Sequence, residues 1–173
     1  MQKEQRSNSY IVGAVLIMGY LYYRATFRQD FYALPNIIAN FLQSQPLSGL
    51  FATFTFRYGE QMVSTEALGY FGFLGFFGSK IWLFLSYFIL TYLWYGGLSG
   101  KMRDVVTPVV VALLLSVSYA AADEFHQSLV SPAFAMKEDV VLAGAGAVLA
   151  VITGWFFFTV RKGRKGIAIS GYF

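Results

Sequence analysis

Residues 139–160 read DVVLAGAGAVLAVITGWFFFTV. After Asp139 no charged side chain follows until Arg161. A helix needs about 20 apolar residues to cross the hydrocarbon core of a bilayer, so this run is long enough to be a membrane span. Arg161, Lys162, Arg164 and Lys165 close it, as cations commonly close a span at the headgroup boundary. Inside the run, Gly146, Ala150 and Gly154 recur every fourth residue and form one smooth helical stripe. Small residues at that spacing let a second helix approach closely, and the stripe predicts a helix–helix contact with the third span or with another copy of the chain.

Three more runs resemble it. Tyr10 to Tyr23 is short but is extended by Arg24, whose stem can lie along apolar surface while its head reaches water. Ile81 to Leu98 is bounded by Lys80 and Lys101. A third starts near Val105, behind Asp104 and Thr107 as candidate N-caps and Pro108 as a first-turn residue. Counted from Pro108, about 20 residues carry it to Gln127. The expected architecture is an all-α integral membrane protein: one domain over 1–173, a bundle of about four transmembrane helices with spans near 10–24, 80–98, 105–127 and 139–160. The first run ends in Tyr20-Leu21-Tyr22-Tyr23-Arg24 without a small-residue cleavage site, so it reads as an uncleaved span. Between the first two spans, the polar run 43–49 with Pro46 and Gly49 is a turn or loop. Glu66 to Gly78 is apolar and rich in Phe and Gly but too short to cross, which predicts an additional interfacial or re-entrant segment.

Composition agrees. Of the 173 residues, 57% are hydrophobic and 13% charged, where a soluble domain carries about 25% charged. So few charges cannot cover a water-facing surface of this size. The formal charge is +4, but the basic residues lie mainly beside the apolar runs. That placement points to topology and to anionic membrane lipids as partners, not to nucleic acid. With both termini inside, Lys3, Arg6, Lys101, Arg103, Arg161, Lys162, Arg164 and Lys165 fall on the inner side, and Arg24, Arg28, Arg57, Lys80 and Lys137 on the outer. The inner side holds the majority, which favours cytoplasmic N- and C-termini. The chain has no cysteine, so thiolate and disulfide chemistry are absent.

The one histidine lies in Asp123-Glu124-Phe125-His126-Gln127. On a helix Asp123 shares a face with His126 and Gln127, and Tyr119 and Ser116 continue that face into the span. Glu124 points about 100° away. Ionisable groups at membrane depth are costly and mark a functional site by default. Asp123 beside His126 is a possible acid–base pair, and Asp139, opening the fourth span after the Pro132 loop, is expected nearby. The candidate binding residues are Asp123, Glu124, His126, Gln127, Asp139 and Tyr119, with Asp123 and His126 the candidates for catalysis. A purely structural hydrogen-bond network at a helix end is the alternative, and whether the chain is an enzyme stays open. No metal or other cofactor is expected: zinc takes several His or Cys ligands, and here there is one His.

The segment 122–130, ADEFHQSLV, with Asp139-Val140-Val141 and then Gly146-Ala147, resembles the signature of VanZ-like membrane proteins. Lys80 to Leu90 and the Gln43-Ser44-Gln45-Pro46 loop are loosely similar to that family's second span and first loop. The chain departs from the pattern at Leu83, Ala133 and Ala143, where the family's His, Arg and Asn are usual. The resemblance implies a divergent member at the bacterial cell membrane, associated with lowered sensitivity to glycopeptide and lipoglycopeptide antibiotics such as teicoplanin. It implies a lipid-linked cell-wall precursor or a lipoglycopeptide as partner. A membrane enzyme acting on such a precursor and a structural or assembly subunit are the competing readings. Helix–helix oligomerisation through Gly146, Ala150 and Gly154 would serve the last of these.

Overall fold

A computed structural model describes residues 2–27 and 32–169, with side chains over 4–27, 32–133 and 135–157. Lys3, Arg28 and the 161–165 basic cluster, which enter the orientation count, have side chains outside those described. The described chain runs α1 (Gln2–Phe27), α2 (Asn36–Phe41), α3 (Ser48–Phe51), β1 (Phe56–Tyr58), β2 (Gln61–Val63), α4 (Thr65–Lys101), α5 (Val106–Val130), a 3-10 turn (Pro132–Phe134) and α6 (Lys137–Ile169). Four helices are long and apolar enough to cross a membrane: Glu4–Phe27, Thr65–Lys101, Val106–Val130 and Lys137–Phe157. Only 17% to 33% of the residues in their most apolar windows are buried inside the bundle. Large apolar side chains such as Leu16, Val141 and Ile152 point outward, a surface suited to an apolar solvent.

The long helix α4 packs against α1, α5 and α6 and is the spine of the bundle. Its seam with α6 is the small-residue stripe. A Cβ on Gly146 would lie 2.5 Å from the Phe84 carbonyl oxygen, and one on Gly154 would lie 2.6 Å from the Tyr95 ring. Ala143, Ala147 and Ala150 are buried beside them. The partner of the stripe within the chain is therefore the second span, not the third as its spacing allowed. The core proper gathers Ala14, Leu21, Tyr87, Leu90, Ala120 and Ala143 from all four helices.

The second span is longer than its hydropathy suggested. Residues 66–78 do not form a separate re-entrant piece; they are the first turns of α4. Ser64 caps that helix by accepting from the Ala67 N–H at 3.1 Å. Gly69, at φ 69 and ψ 168, kinks it through a conformation only glycine adopts without strain. Past that kink, at about 1.5 Å per residue, the stretch from Tyr70 to Lys101 spans about 48 Å, well beyond a bilayer core of about 30 Å. Nothing between Gly78 and Ile81 interrupts the hydrogen-bond ladder, so a short apolar run merges with its neighbour.

The projecting turns of α4 carry a second apolar cluster, Val63, Phe73 and Phe76, packed with Tyr32, Phe51, Tyr58 and Leu68. The β1–β2 hairpin sits on this cluster, with Tyr58 paired to Gln61 across a two-residue Gly59-Glu60 turn. Gly59 takes φ 60, as such tight hairpin turns favour. The backbone of Tyr32 lies so close to Gly75 that any Cβ there would overlap the Tyr32 carbonyl. Residues 32–63 thus cap one end of the bundle, above the ends of α1 and α5 and the start of α6.

Candidate functional site

Asp139 stands in the first turn of α6, where the helix dipole favours an anion. Lys80 of α4 reaches both of its carboxylate oxygens, at 2.6 and 2.8 Å. The Tyr58 hydroxyl, from the hairpin, donates to Asp139 Oδ1 at 2.8 Å. The Lys80 ammonium also lies 4.6 Å from the centre of the Tyr58 ring and 5.1 Å from that of Phe76. The two charged side chains are only 12% and 13% exposed. This ion pair joins the spine helix α4, the last helix α6 and the hairpin cap at one point.

Beside the pair is a small cavity of about 40 Å³, room for a few waters or one small polar group. Arg24, Tyr32, Leu83, Asp123 and Gln127 line it together with the pair. The Tyr32 hydroxyl donates to Gln61 Oε1 at 3.0 Å. Burial, reinforced by the nearby Asp139 charge, pushes the Tyr32 phenol up to about 12. Tyr58 is pushed up as well, first by burial and then by its hydrogen bond to the Asp139 carboxylate. Both tyrosines therefore act as protonated donors at neutral pH.

The predicted residues divide between this cavity and its surroundings. Asp123, Gln127 and Asp139 meet around it, although Asp123 and Asp139 come from different helices. Glu124 lies toward Lys80, Met136 and Asp139 on the α6 side. His126 does not join them. Its ring packs against Tyr22 of α1, with centroids 4.8 Å apart, outside the cavity wall. Helical spacing put His126 within reach of Asp123, but it left undecided which neighbour lay beyond each edge of the face. Tyr119 is also committed elsewhere: its hydroxyl donates to the Met18 carbonyl of α1 at 2.6 Å. Ser128 is exposed and donates to the Phe125 carbonyl, so no Ser–His–Asp arrangement forms. Among the described residues no group of three His, Cys, Asp or Glu side chains is placed to hold a metal ion.

The polar stripe that descends from Gln127 through Asp123 and Tyr119 to Ser116 is present and largely covered. Asp123 Oδ1, the Ser116 hydroxyl and the Tyr87 hydroxyl facing it from α4 are buried without hydrogen-bond partners within the protein. Such groups are ordinarily satisfied by internal water, for which the adjoining cavity has room.

Lys80, Arg24, Tyr32 and Tyr58 complete the site, and the sequence did not single them out for it. Lys80 and Arg24 read as span boundaries. A signal was present for Lys80, which stands inside a continuous apolar stretch from Leu68 to Leu98 that contains no other charge. Tyr58 and Tyr32 had none, because aromatic residues are abundant throughout the chain. Compared with known proteins, the chain matches no family model, no curated sequence and no solved structure.

Proposed function

We propose that the chain is a multi-pass bacterial cell-envelope protein of the VanZ-like kind, with both termini cytoplasmic. In this reading it lowers sensitivity to glycopeptides such as teicoplanin by engaging the polar end of a membrane amphiphile at its outer face. That amphiphile is a lipid-linked cell-wall precursor or the lipoglycopeptide itself. The observation that carries the reading is the Lys80–Asp139 pair, held at 2.6 Å and nearly covered, beside a cavity that also collects Arg24, Asp123 and Gln127. Charges at such a position in an apolar bundle are expensive and point to function. The same residues include the segment that resembles the VanZ-like signature, and Asp139 is part of that resemblance. The cavity volume suits one small polar group of a ligand whose bulk stays outside, at the rim formed by residues 32–63.

Binding is favoured over catalysis by two placements. Leu83 lines the cavity where a VanZ-like histidine is usual, and His126 is turned toward Tyr22. No imidazole therefore reaches the cavity to act as a general base. A second, structural reading is favoured by the Tyr58 hydrogen bond, which uses Asp139 to fasten the hairpin to α6.

The test is expression of the intact chain in a teicoplanin-susceptible bacterium, with Lys80→Met/Asp139→Leu as comparison. The double variant removes both charges together, so no unpaired ion is left behind. The binding reading expects the intact chain to raise the inhibitory concentration of teicoplanin and the double variant, accumulated to the same level, to lose the effect. Full protection by the double variant would favour the structural reading, and no protection by the intact chain would end the proposal. Reporter fusions at Ser131 and at the C-terminus should report opposite sides of the membrane.

A further inference from the structure

The end of the bundle opposite Lys80 holds a much larger cavity, about 660 Å³, between the start of α1, the end of α4 and the α4–α5 connection. Three cations line it: Arg6, Lys101 and Arg103. None has a carboxylate partner among the described residues. Asp104 also lines the cavity, and its carboxylate accepts from the Thr107 N–H at 2.6 Å in the first turn of α5. That hydrogen bond holds the Asp104 carboxyl below its ordinary value, so it stays ionised and the chamber carries three cations against one carboxylate. Arg6 is pre-positioned by the Tyr10 hydroxyl at 3.2 Å, with its guanidinium 5.7 Å from the centre of the Tyr10 ring. Ser99, also on the cavity wall, has a buried hydroxyl with no partner.

A second cavity of about 280 Å³ runs between α5 and α6. Its lining is wholly apolar: Val105, Val106, Val109, Val151, Ile152 and Trp155. Val105 and Trp155 line both cavities, so the basic chamber and the apolar groove are immediate neighbours. A free anion would use only the first, and a neutral hydrocarbon only the second. The adjacent pair matches a molecule with an anionic head and a hydrocarbon tail.

We infer that this end of the bundle is a binding site for an anionic phospholipid, with its phosphate among Arg6, Lys101 and Arg103 and one acyl chain in the groove between α5 and α6. The charge sign selects the class of lipid. A zwitterionic headgroup brings a further cation into a chamber whose three cations already outnumber its one carboxylate, whereas phosphatidylglycerol brings only the anion. Trp155 stands where the two cavities adjoin and Tyr10 lines the chamber, as aromatic residues do at the boundary between headgroup and hydrocarbon. This site is independent of the Lys80–Asp139 cavity and of the function assigned to it.

The full chain, purified and delipidated in neutral detergent, is examined by native mass spectrometry with equal amounts of dioleoylphosphatidylglycerol and dioleoylphosphatidylcholine. Preferential retention of phosphatidylglycerol is expected. Arg6→Gln should weaken that retention about fivefold, the factor equivalent to about 1 kcal/mol per basic residue at a membrane surface. Arg6→Gln/Lys101→Gln/Arg103→Gln should weaken it by more than about tenfold. These side chains are on the water-facing end, so folding is retained. Ile152→Trp, at an exposed groove position, should also lower retention by filling the place of the acyl chain. Equal retention of the two lipids by the unaltered chain overturns the inference. So does displacement of phosphatidylglycerol by inorganic phosphate together with no effect of Ile152→Trp, which would mark a plain phosphate site.

Discussion

The two ends of this bundle treat charge in opposite ways. At the Lys80 end, cation and anion meet at 2.6 Å, a tyrosine adds a donor, aromatic rings cover the ammonium, and only about 40 Å³ remains open. At the Arg6 end, three cations and a single carboxylate, Asp104, face a chamber of about 660 Å³, and Asp104 accepts from the Thr107 N–H of α5. The first end is compensated within the chain; the second leaves positive charge for something outside it. Packing explains the contrast. Residues 32–63 cap the Lys80 end, whereas the Arg6 end is bounded by a connection of only a few residues between α4 and α5. A capped charge must find its partner in the protein, because desolvation is costly, while an open one can wait for solvent, salt or lipid.

The sharpest way to break the comparison is to remove half of the compensated pair. Lys80→Met leaves Asp139 buried without its cation, and Asp139→Leu leaves Lys80 alone. Each should cost about 3–5 kcal/mol of stability, and the double variant should recover most of it. Thermal unfolding in detergent reads this directly. If each single variant melts with the unaltered chain, the pair is not compensating a buried charge and the contrast between the ends disappears. Arg6→Gln in the same assay should leave the melting temperature nearly unchanged in lipid-free detergent.

The seam that joins the two ends gives a smaller effect. Gly146→Leu drives a side chain into the Phe84 carbonyl, which is 2.5 Å from the first added atom, and overpacking of this kind costs about 1–3 kcal/mol. Gly144→Ala has open space around its new methyl group and should be neutral or slightly stabilising. Equal melting temperatures for the two variants would mean that α4 and α6 are not in close contact there.

The smallest effect belongs to Asp104 at the open end. Its carboxyl is depressed by the Thr107 N–H bond, so its contribution is present above the ordinary carboxylate range and is lost as pH falls through its lowered value. Asp104→Asn should therefore melt slightly below the unaltered chain at neutral pH, and the gap should close on acidification. A gap that widened in acid would show that Asp104 is engaged by something other than the helix terminus.

Much of this architecture was legible in the sequence because hydropathy is a local property. Twenty apolar residues in a row mean the same thing wherever they stand, and each of the four expected runs lies in a helix long and apolar enough to cross a membrane, the second lengthened by the merging of residues 66–78 into α4. Asp123 and Gln127 were also legible, since four residues on a helix return to one face. The limits appear at His126 and at the small-residue stripe. Helical spacing places a residue on a face but does not say which helix that face meets, so His126 went to Tyr22 and Gly146 to Phe84.

What only the tertiary structure decided is pairing over long sequence distance. Lys80 meets Asp139 across 59 residues, and Tyr58 meets it across 81. No periodicity connects positions so far apart. The basic chamber is of the same kind, for Arg6 and Lys101 share a wall only because α1 and α4 pack together. The sequence by itself determined that charges would be few and would lie mainly beside the apolar runs. Which of them cancel and which stay open was decided by the packing of the helices, because the cost of a buried charge depends on what its neighbours bring within a few ångströms.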